Sequence, residues 1–343
     1  MDIEKYVILK PSVDAILKSL LASGKTIVAP VRKKDAVCFE KIDENSTVAD
    51  DFVQTKLSLK SFAFPRYEKL FGFNKSQKNV TVNDFDFKQI PEIYLWGTKP
   101  CDASGFLALN AIFNWDFKDA IYNARQEKLT IITFSCFQSD ENCFCTSVGG
   151  GPGGTAGSDI LFTKVGDEKY IAEVISEKGS RIREQFSEFF LPTEAELKKE
   201  QYLAKIDQLL DKEIIKERLE NFFESEIWKK QSERCLGCGA CAYVCPACGC
   251  FDIQDEKSAN QGSRIRCWDS CGFSQFTVHA SGHNPRASQS QRWRQRLSHK
   301  FSIMPERLNV VGCTGCGRCS RACPVDMNLL EHLTSIMKMN HDG

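Results

Sequence analysis

Three features of the sequence predict an α/β N-terminal domain followed by a mainly helical C-terminal domain. Short β-branched apolar runs flank a segment with helical spacing inside residues 1–185, an amphipathic stretch follows over 186–232, and cysteines crowd into 233–343, where a motif is repeated. A chain of 343 residues exceeds what one typical hydrophobic core supports, so two units are expected.

The strands of the first unit are read at 25–31, 92–96, 130–134 and 159–163, where β-branched and aromatic residues cluster, and a helix is read at 103–113 from its apolar spacing. Thr193 followed by Glu196, just after Pro192, has the form of a capping box. Beyond it Leu203, Ile206, Leu209, Leu210, Ile214, Ile215 and Leu219 recur at three- and four-residue steps, the pattern of an amphipathic helical connector. A closing helix is expected where Leu329, Leu330, Leu333, Ile336 and Met337 fall on one face.

The repeat carries the chemistry. Residues 234–246 read RCLGCGACAYVCP and residues 312–324 read GCTGCGRCSRACP, so both copies have the spacing CxxCxxCxxxCP. Three cysteines at two-residue intervals let one tight loop wrap three corners of a cubane, and the fourth thiolate arrives from elsewhere. In two-cluster ferredoxins the fourth cysteine of each run ligates the other cluster. On that rule Cys235, Cys238, Cys241 and Cys323 hold one [4Fe-4S] cluster, and Cys313, Cys316, Cys319 and Cys245 hold the second. Gly237, Gly239, Gly315 and Gly317 suit loops that need positive φ and close backbone approach to sulfur. Zinc knuckles use isolated CxxC pairs and leave the third cysteine and the proline unexplained. The C-terminal unit is therefore expected to be ferredoxin-like.

Nine cysteines remain. Cys101 and Cys136 each follow a predicted strand, and with a helix between the strands both fall at carboxyl ends on one sheet edge. With Cys143 and Cys145 they are candidates for a third [4Fe-4S] cluster, although the irregular spacing suits buried thiols equally. Cys248, Cys250, Cys267 and Cys271 lie between the two runs, where packing around the clusters is the default and metal binding the alternative; Cys38 stands alone.

Weaker signals exclude more than they suggest. The GGGPGG run at 149–154 satisfies GxGxxG formally, but no helix opens on it. The basic, Trp-containing stretch 286–300 is read as a docking face or as charge offsetting anionic clusters in preference to a nucleic-acid site, because Lys plus Arg equals Asp plus Glu at 45 each. His279 and His283 read as structural residues. No nucleophile has an adjacent base, so no catalytic residue is assigned. No window approaches a membrane span and the start lacks a signal peptide's apolar core, so a cytoplasmic location is expected, with the 17 cysteines reduced or metal-bound.

Several of these segments together resemble a known family. SLKSFAFPRYEKLF at Ser58, KPCDASGF at Lys99, NCFCTSVGGGP at Asn142, CPACGCFD at Cys245, RCWDSCGF at Arg266, SGHNPR at Ser281 and CTGCGRCSRACPVD at Cys313 are similar to the beta subunits of cytosolic nickel–iron hydrogenases of the sulfhydrogenase type, and to the equivalent iron–sulfur subunit of anaerobic sulfite reductase. Cys267 and the VGGGPGG stretch depart from that pattern. The resemblance implies an electron-transfer subunit in a hetero-oligomer, standing between a subunit that binds flavin and NAD(P) and a catalytic metalloenzyme subunit. It also favours the third cluster, since Cys101, Cys143 and Cys145 stand within these segments. The alternative is a self-contained reductase holding its own flavin.

Overall fold

The computed structural model describes residues 3–193 and 198–339, so the expected capping box, which needs Glu196, lies outside the described residues. Strand β1 (Glu4–Leu9) runs straight into α1 (Lys10–Ala22), where Pro11 occupies the first turn and Val13, Ile16 and Leu20 form the buried stripe. There follow β2 (Thr26–Lys33), β3 (Ala36–Lys41), β4 (Tyr67–Lys75), β5 (Val80–Asn83) and β6 (Ile93–Thr98). Helix α2 (Pro100–Asn114) again opens on a proline, and Asp119 caps α3 (Ala120–Glu127) by accepting from the Tyr122 amide. Strands β7 (Leu129–Phe134), β8 (Ile160–Val165) and β9 (Lys169–Val174), helix α4 (Glu177–Gln185) and the short β10 (Leu191–Pro192) complete this part.

These strands form an eight-stranded sheet in the order β10-β1-β9-β8-β7-β6-β2-β3. Its centre, β2, β6, β7 and β8, is parallel, and the flanking pairs are antiparallel. Helices cover both faces, as a sheet with a parallel centre requires. Ile16 and Leu20 of α1 pack with Trp96, Ile132 and Phe162 on one face, while Phe106 and Leu109 of α2 pack with Leu95 and Ile131 on the other. The expected strands and the expected helix thus lie within the N-terminal α/β part. Because β6 and β7 are parallel neighbours, the loops after them, with Cys101 and Cys136, leave the same sheet edge.

The expected connector helix is only partly present. Residues 203–210 run as a strap whose backbone bonds go elsewhere: the Ala204 amide donates to the Cys136 carbonyl at 2.7 Å, and the Leu209 amide donates to Ser147 Oγ at 2.8 Å. Those tertiary bonds replace the i→i−4 ladder, and the helix begins only at α5 (Lys212–Asn221), capped by Asp211. Leu210, Ile215 and Leu219 are buried, whereas Leu209 and Ile214 are exposed.

Beyond α6 (Ile227–Ser232) the first cysteine loop ends in the one-turn α7 (Ala240–Tyr243). The segment between the cysteine runs then departs from the mainly helical expectation. Strands β11 (Phe251–Ser258) and β12 (Gln261–Trp268) form a hairpin, and β12 pairs with β4 in a second, four-stranded sheet ordered β11-β12-β4-β5. This sheet draws strands from both sides of the expected domain boundary. Helix α8 (Gln289–Ser298) carries a complete capping box from Ser288 and Gln291 and continues through a wide π turn at His299–Ile303 into α9 (Met304–Leu308). The second cysteine loop leads into α10 (Arg318–Arg321), and α11 (Leu329–Met337) closes the chain's second core, in which Ile215, Trp228, Trp293, Leu297, Leu333 and Ile336 pack together.

Candidate iron–sulfur centres

Each cysteine loop turns on two left-handed glycines, Gly237 and Gly239 in the first and Gly315 and Gly317 in the second, with φ between 63 and 74°. The first loop wraps a cavity lined by Cys235, Cys238 and Cys241 together with Cys323 and Cys319 from the second run. The crossed ligand set expected for the first cluster thus faces one space. Gln289 Nε2 donates to Cys235 Sγ at 3.1 Å, and the Met327 amide donates to Cys323 Sγ at 3.2 Å.

Around the second loop the Gly315 amide donates to Cys313 Sγ at 3.4 Å. Lys300 Nζ donates to Cys245 Sγ at 3.4 Å and also to the Gly312 carbonyl, so one ammonium joins the fourth cysteine of the first run to the start of the second loop. Burial pushes the Cys319 thiol up to about 12, with Cys313 and Cys316 as neighbours, and the Cys241 thiol up to about 11. Such thiols are protonated at neutral pH unless a metal replaces the proton. Two buried polar atoms here, Thr314 Oγ1 and Arg318 Nη1, have no hydrogen-bond partner among the described residues. Donors with nothing to donate to suit loops that enclose sulfide-bearing clusters, whose sulfurs accept such bonds. These residues fit the group that their spacing implies.

The third set is also brought together. Cys136 stands beside Cys143, Cys145 beside both, and Cys101 beside Cys136 and Cys316. Burial, reinforced by Cys136 and Cys143, pushes the Cys145 thiol up to about 12. Gln54 Nε2 donates to Cys101 Sγ at 3.2 Å and Arg321 Nη2 to Cys143 Sγ at 3.5 Å. This pocket abuts the second ferredoxin loop directly. The Phe144 amide donates to the Gly315 carbonyl at 2.9 Å, and a Cβ on Gly315 would collide with the Cys145 backbone. Arg318 locks the two together, bonding Asp102 at 2.8 Å in the first turn of α2 and Thr55 Oγ1 at 2.7 Å.

Other expectations resolve differently. In the 286–300 stretch Arg292, Trp293, Arg296 and Lys300 are buried against the cysteine loops, so these side chains face inward as counter-charge and packing and form no docking face. The GGGPGG run is a loop whose Gly150 amide bonds the Cys145 carbonyl, and it leads into β8 with no helix on it. Cys267 lies on β12 against the Asp252 carbonyl, and Cys38 lies on β3. Gln54, Gln289 and Arg318 carried no signal of their own in the sequence, since each acts through a partner more than 45 residues away in the chain.

Residues 234–327 match the 4Fe-4S dicluster domain family. Over 317 residues, 90% of this chain and 92% of the relative, the sequence is 31% identical to sulfhydrogenase 2 subunit beta of Pyrococcus furiosus. The chain belongs to the sulfhydrogenase beta-subunit family. As a sulfhydrogenase-type beta subunit it is an iron–sulfur electron-transfer component of an oxidoreductase, and it carries two [4Fe-4S] clusters. A more distant likeness, 27% over 181 residues, links half of this beta-subunit chain to 40% of the F420-dependent formate dehydrogenase subunit beta of Methanocaldococcus jannaschii. No solved structure matches the chain. Among the described residues no helix is long and apolar enough to cross a membrane.

Proposed function

We propose that this protein relays single electrons, within a hetero-oligomer, between a subunit that binds flavin and NAD(P) and a nickel–iron catalytic subunit. In this reading Cys235, Cys238, Cys241 and Cys323 hold the first cluster, Cys313, Cys316, Cys319 and Cys245 the second, and Cys101, Cys136, Cys143 and Cys145 a third. Bound clusters supply one-electron carriers; the chain's residues hold them, exclude water and set their potentials through hydrogen bonds and nearby cations. The observation that carries the reading is the cavity faced at once by three cysteines of the first run and Cys323 of the second. Contact between the Cys145 segment and Gly315 supports a continuous path from the second cluster to the third. Replacing Cys143 with Ser is expected to remove about four irons and four sulfides per chain, one cubane's worth. Unchanged iron in that variant would sink the third cluster. Loss of the dithionite-induced paramagnetic signal of the paired clusters is expected of Cys235→Ser.

A second reading, a flavin held by this chain itself, draws on a crevice of about 360 Å³ at the carboxyl ends of β6 and β7, lined by Trp96, Phe134, Phe137, Lys99 and Lys164. Flavin absorbance in the isolated protein decides between the two.

A further inference from the structure

The hairpin between the cysteine runs brings a fourth group of cysteines together. Phe251 of β11 pairs with Trp268 of β12, and the Asp269 amide donates to the Cys250 carbonyl at 3.0 Å, so the chain returns beside its starting point and sets Cys271 against Cys250. Cys271 stands beside Cys250, and Cys248 beside Cys245. One nitrogen of Arg296 joins the pairs, with Nη1 3.8 Å from Cys248 Sγ and 3.7 Å from Cys271 Sγ.

Three cations point into this group from different elements. Arg296 comes from α8 and Lys300 from the π turn, while Lys60, from the N-terminal part, donates to the Ala242 and Cys248 carbonyls at 2.8 and 2.9 Å. All three are at most 4% exposed, and among the described residues none has a carboxylate partner. Buried charges are expensive unless an opposite charge stands near them. Lys300, Arg296 and Lys60 all stand near Cys245, a ligand of the second paired cluster, and Lys60 faces Cys248 and Cys250 as well. Metal-bound thiolates at Cys248 and Cys250 would add lasting negative charge beside it.

We propose that Cys248, Cys250 and Cys271 are the cysteine ligands of an additional iron–sulfur centre, next to the second of the paired clusters, with Lys60 and Arg296 as its counter-charges. Each thiol gives up its proton as its sulfur bonds to iron, and Cys267, on the outside of the hairpin, takes no part. The inference rests on the iron–sulfur character of the chain and is independent of the set built on Cys101 and Cys143.

The test compares anaerobically purified wild type with Cys248→Ala, Cys271→Ala and, as a control, Cys267→Ala. Iron and acid-labile sulfide are expected to fall by about two to four per chain in the first two variants, with the signals of the paired clusters retained, and to stay at the wild-type count in the third. Full iron and sulfide in both ligand variants would overturn the proposal, as would a Cys250–Cys271 disulfide found by alkylation and mass spectrometry in the wild type. Should the ligand variants fail to accumulate, Lys60→Gln keeps all three cysteines. It is expected to retain the iron and to move one paramagnetic centre to a more negative midpoint potential, and an unchanged set of potentials would overturn the assignment. Loss of iron in Cys143→Ser alone reports on the other set, so the two readings fail separately.

Discussion

At the scale of single residues, the sulfur-directed donors are the parts of this molecule that tune it. Gln289 has one amide N–H on Cys235 Sγ. A hydrogen bond to a thiolate stabilises the more negative, reduced cluster, so Gln289→Leu is expected to lower the first cluster's potential. A net bond of about 0.5–1.5 kcal/mol, at 59 mV per tenfold, corresponds to about 20–65 mV. A redox titration followed by paramagnetic resonance reads the shift, and an unmoved potential would show that the bond does not reach the cluster. His332 gives a second test. Burial lowers its pKa below the ordinary 6.5, its Nδ1 has no partner among the described residues, and its ring meets Trp293 edge-on at 5.1 Å. The fold holds it neutral while the unfolded chain takes up a proton below about pH 6.5. Its contribution is therefore complete above that pH and declines as pH falls further. Denaturant unfolding of wild type should weaken between about pH 6.5 and pH 5.5, and His332→Phe should flatten that slope.

Elements are joined by a few buried ion pairs, and these set the cost of disrupting the molecule. Arg318 and Asp102 are 2% and 0% exposed at the side chain, so Arg318→Met would strand a carboxylate in the interior between α10 and α2. Destabilisation of about 3–5 kcal/mol is expected, and Asp102→Leu in the same chain should recover part of it. Unfolding of the single and double variants checks both. Gly315→Ala is expected to push the second loop off the Cys145 backbone and to lower the iron content, because the new methyl would run into a main-chain nitrogen with nowhere to move. This scale also shows where the sequence was legible. The two cysteine runs, the parallel strands at 25–31, 92–96 and 130–134, and the closing helix could all be read because each rests on local spacing. The strap at 203–210 reads as helix because its leucines are helically spaced, yet its amide bonds go to Cys136 and Ser147. The hairpin after Cys250 is hidden in the sequence for a related reason. Every residue of β11 is exposed, so no buried face marks its alternation, and β12 finds its partner in β4, far back in the chain.

For the whole molecule, the consequence is that the two halves form one structure. Arg266 on β12 bonds Glu68 on β4 and Asp119 before α3, and its guanidinium sits 5.2–5.5 Å from the rings of Phe64, Phe113 and Phe251. Pro246 of the first cysteine run packs so closely on Gly105 of α2 that a methyl there would come within 2.6 Å. A fragment of residues 233–343 expressed alone is therefore expected to lack stable clusters, seen as loss of visible absorbance within a purification that the full chain survives. The shared four-stranded sheet bears on biosynthesis as well. Strand β4 leaves the ribosome with β5 on one side and nothing on the other, and its second neighbour is translated only at residue 261. At roughly 5–20 residues per second that interval lasts about 10–40 s, during which an open strand edge can recruit other nascent chains. Ribosome-arrested chains ending near residue 240 should accordingly bind holdase chaperones, and chains long enough for residues 261–268 to have cleared the exit tunnel should release them.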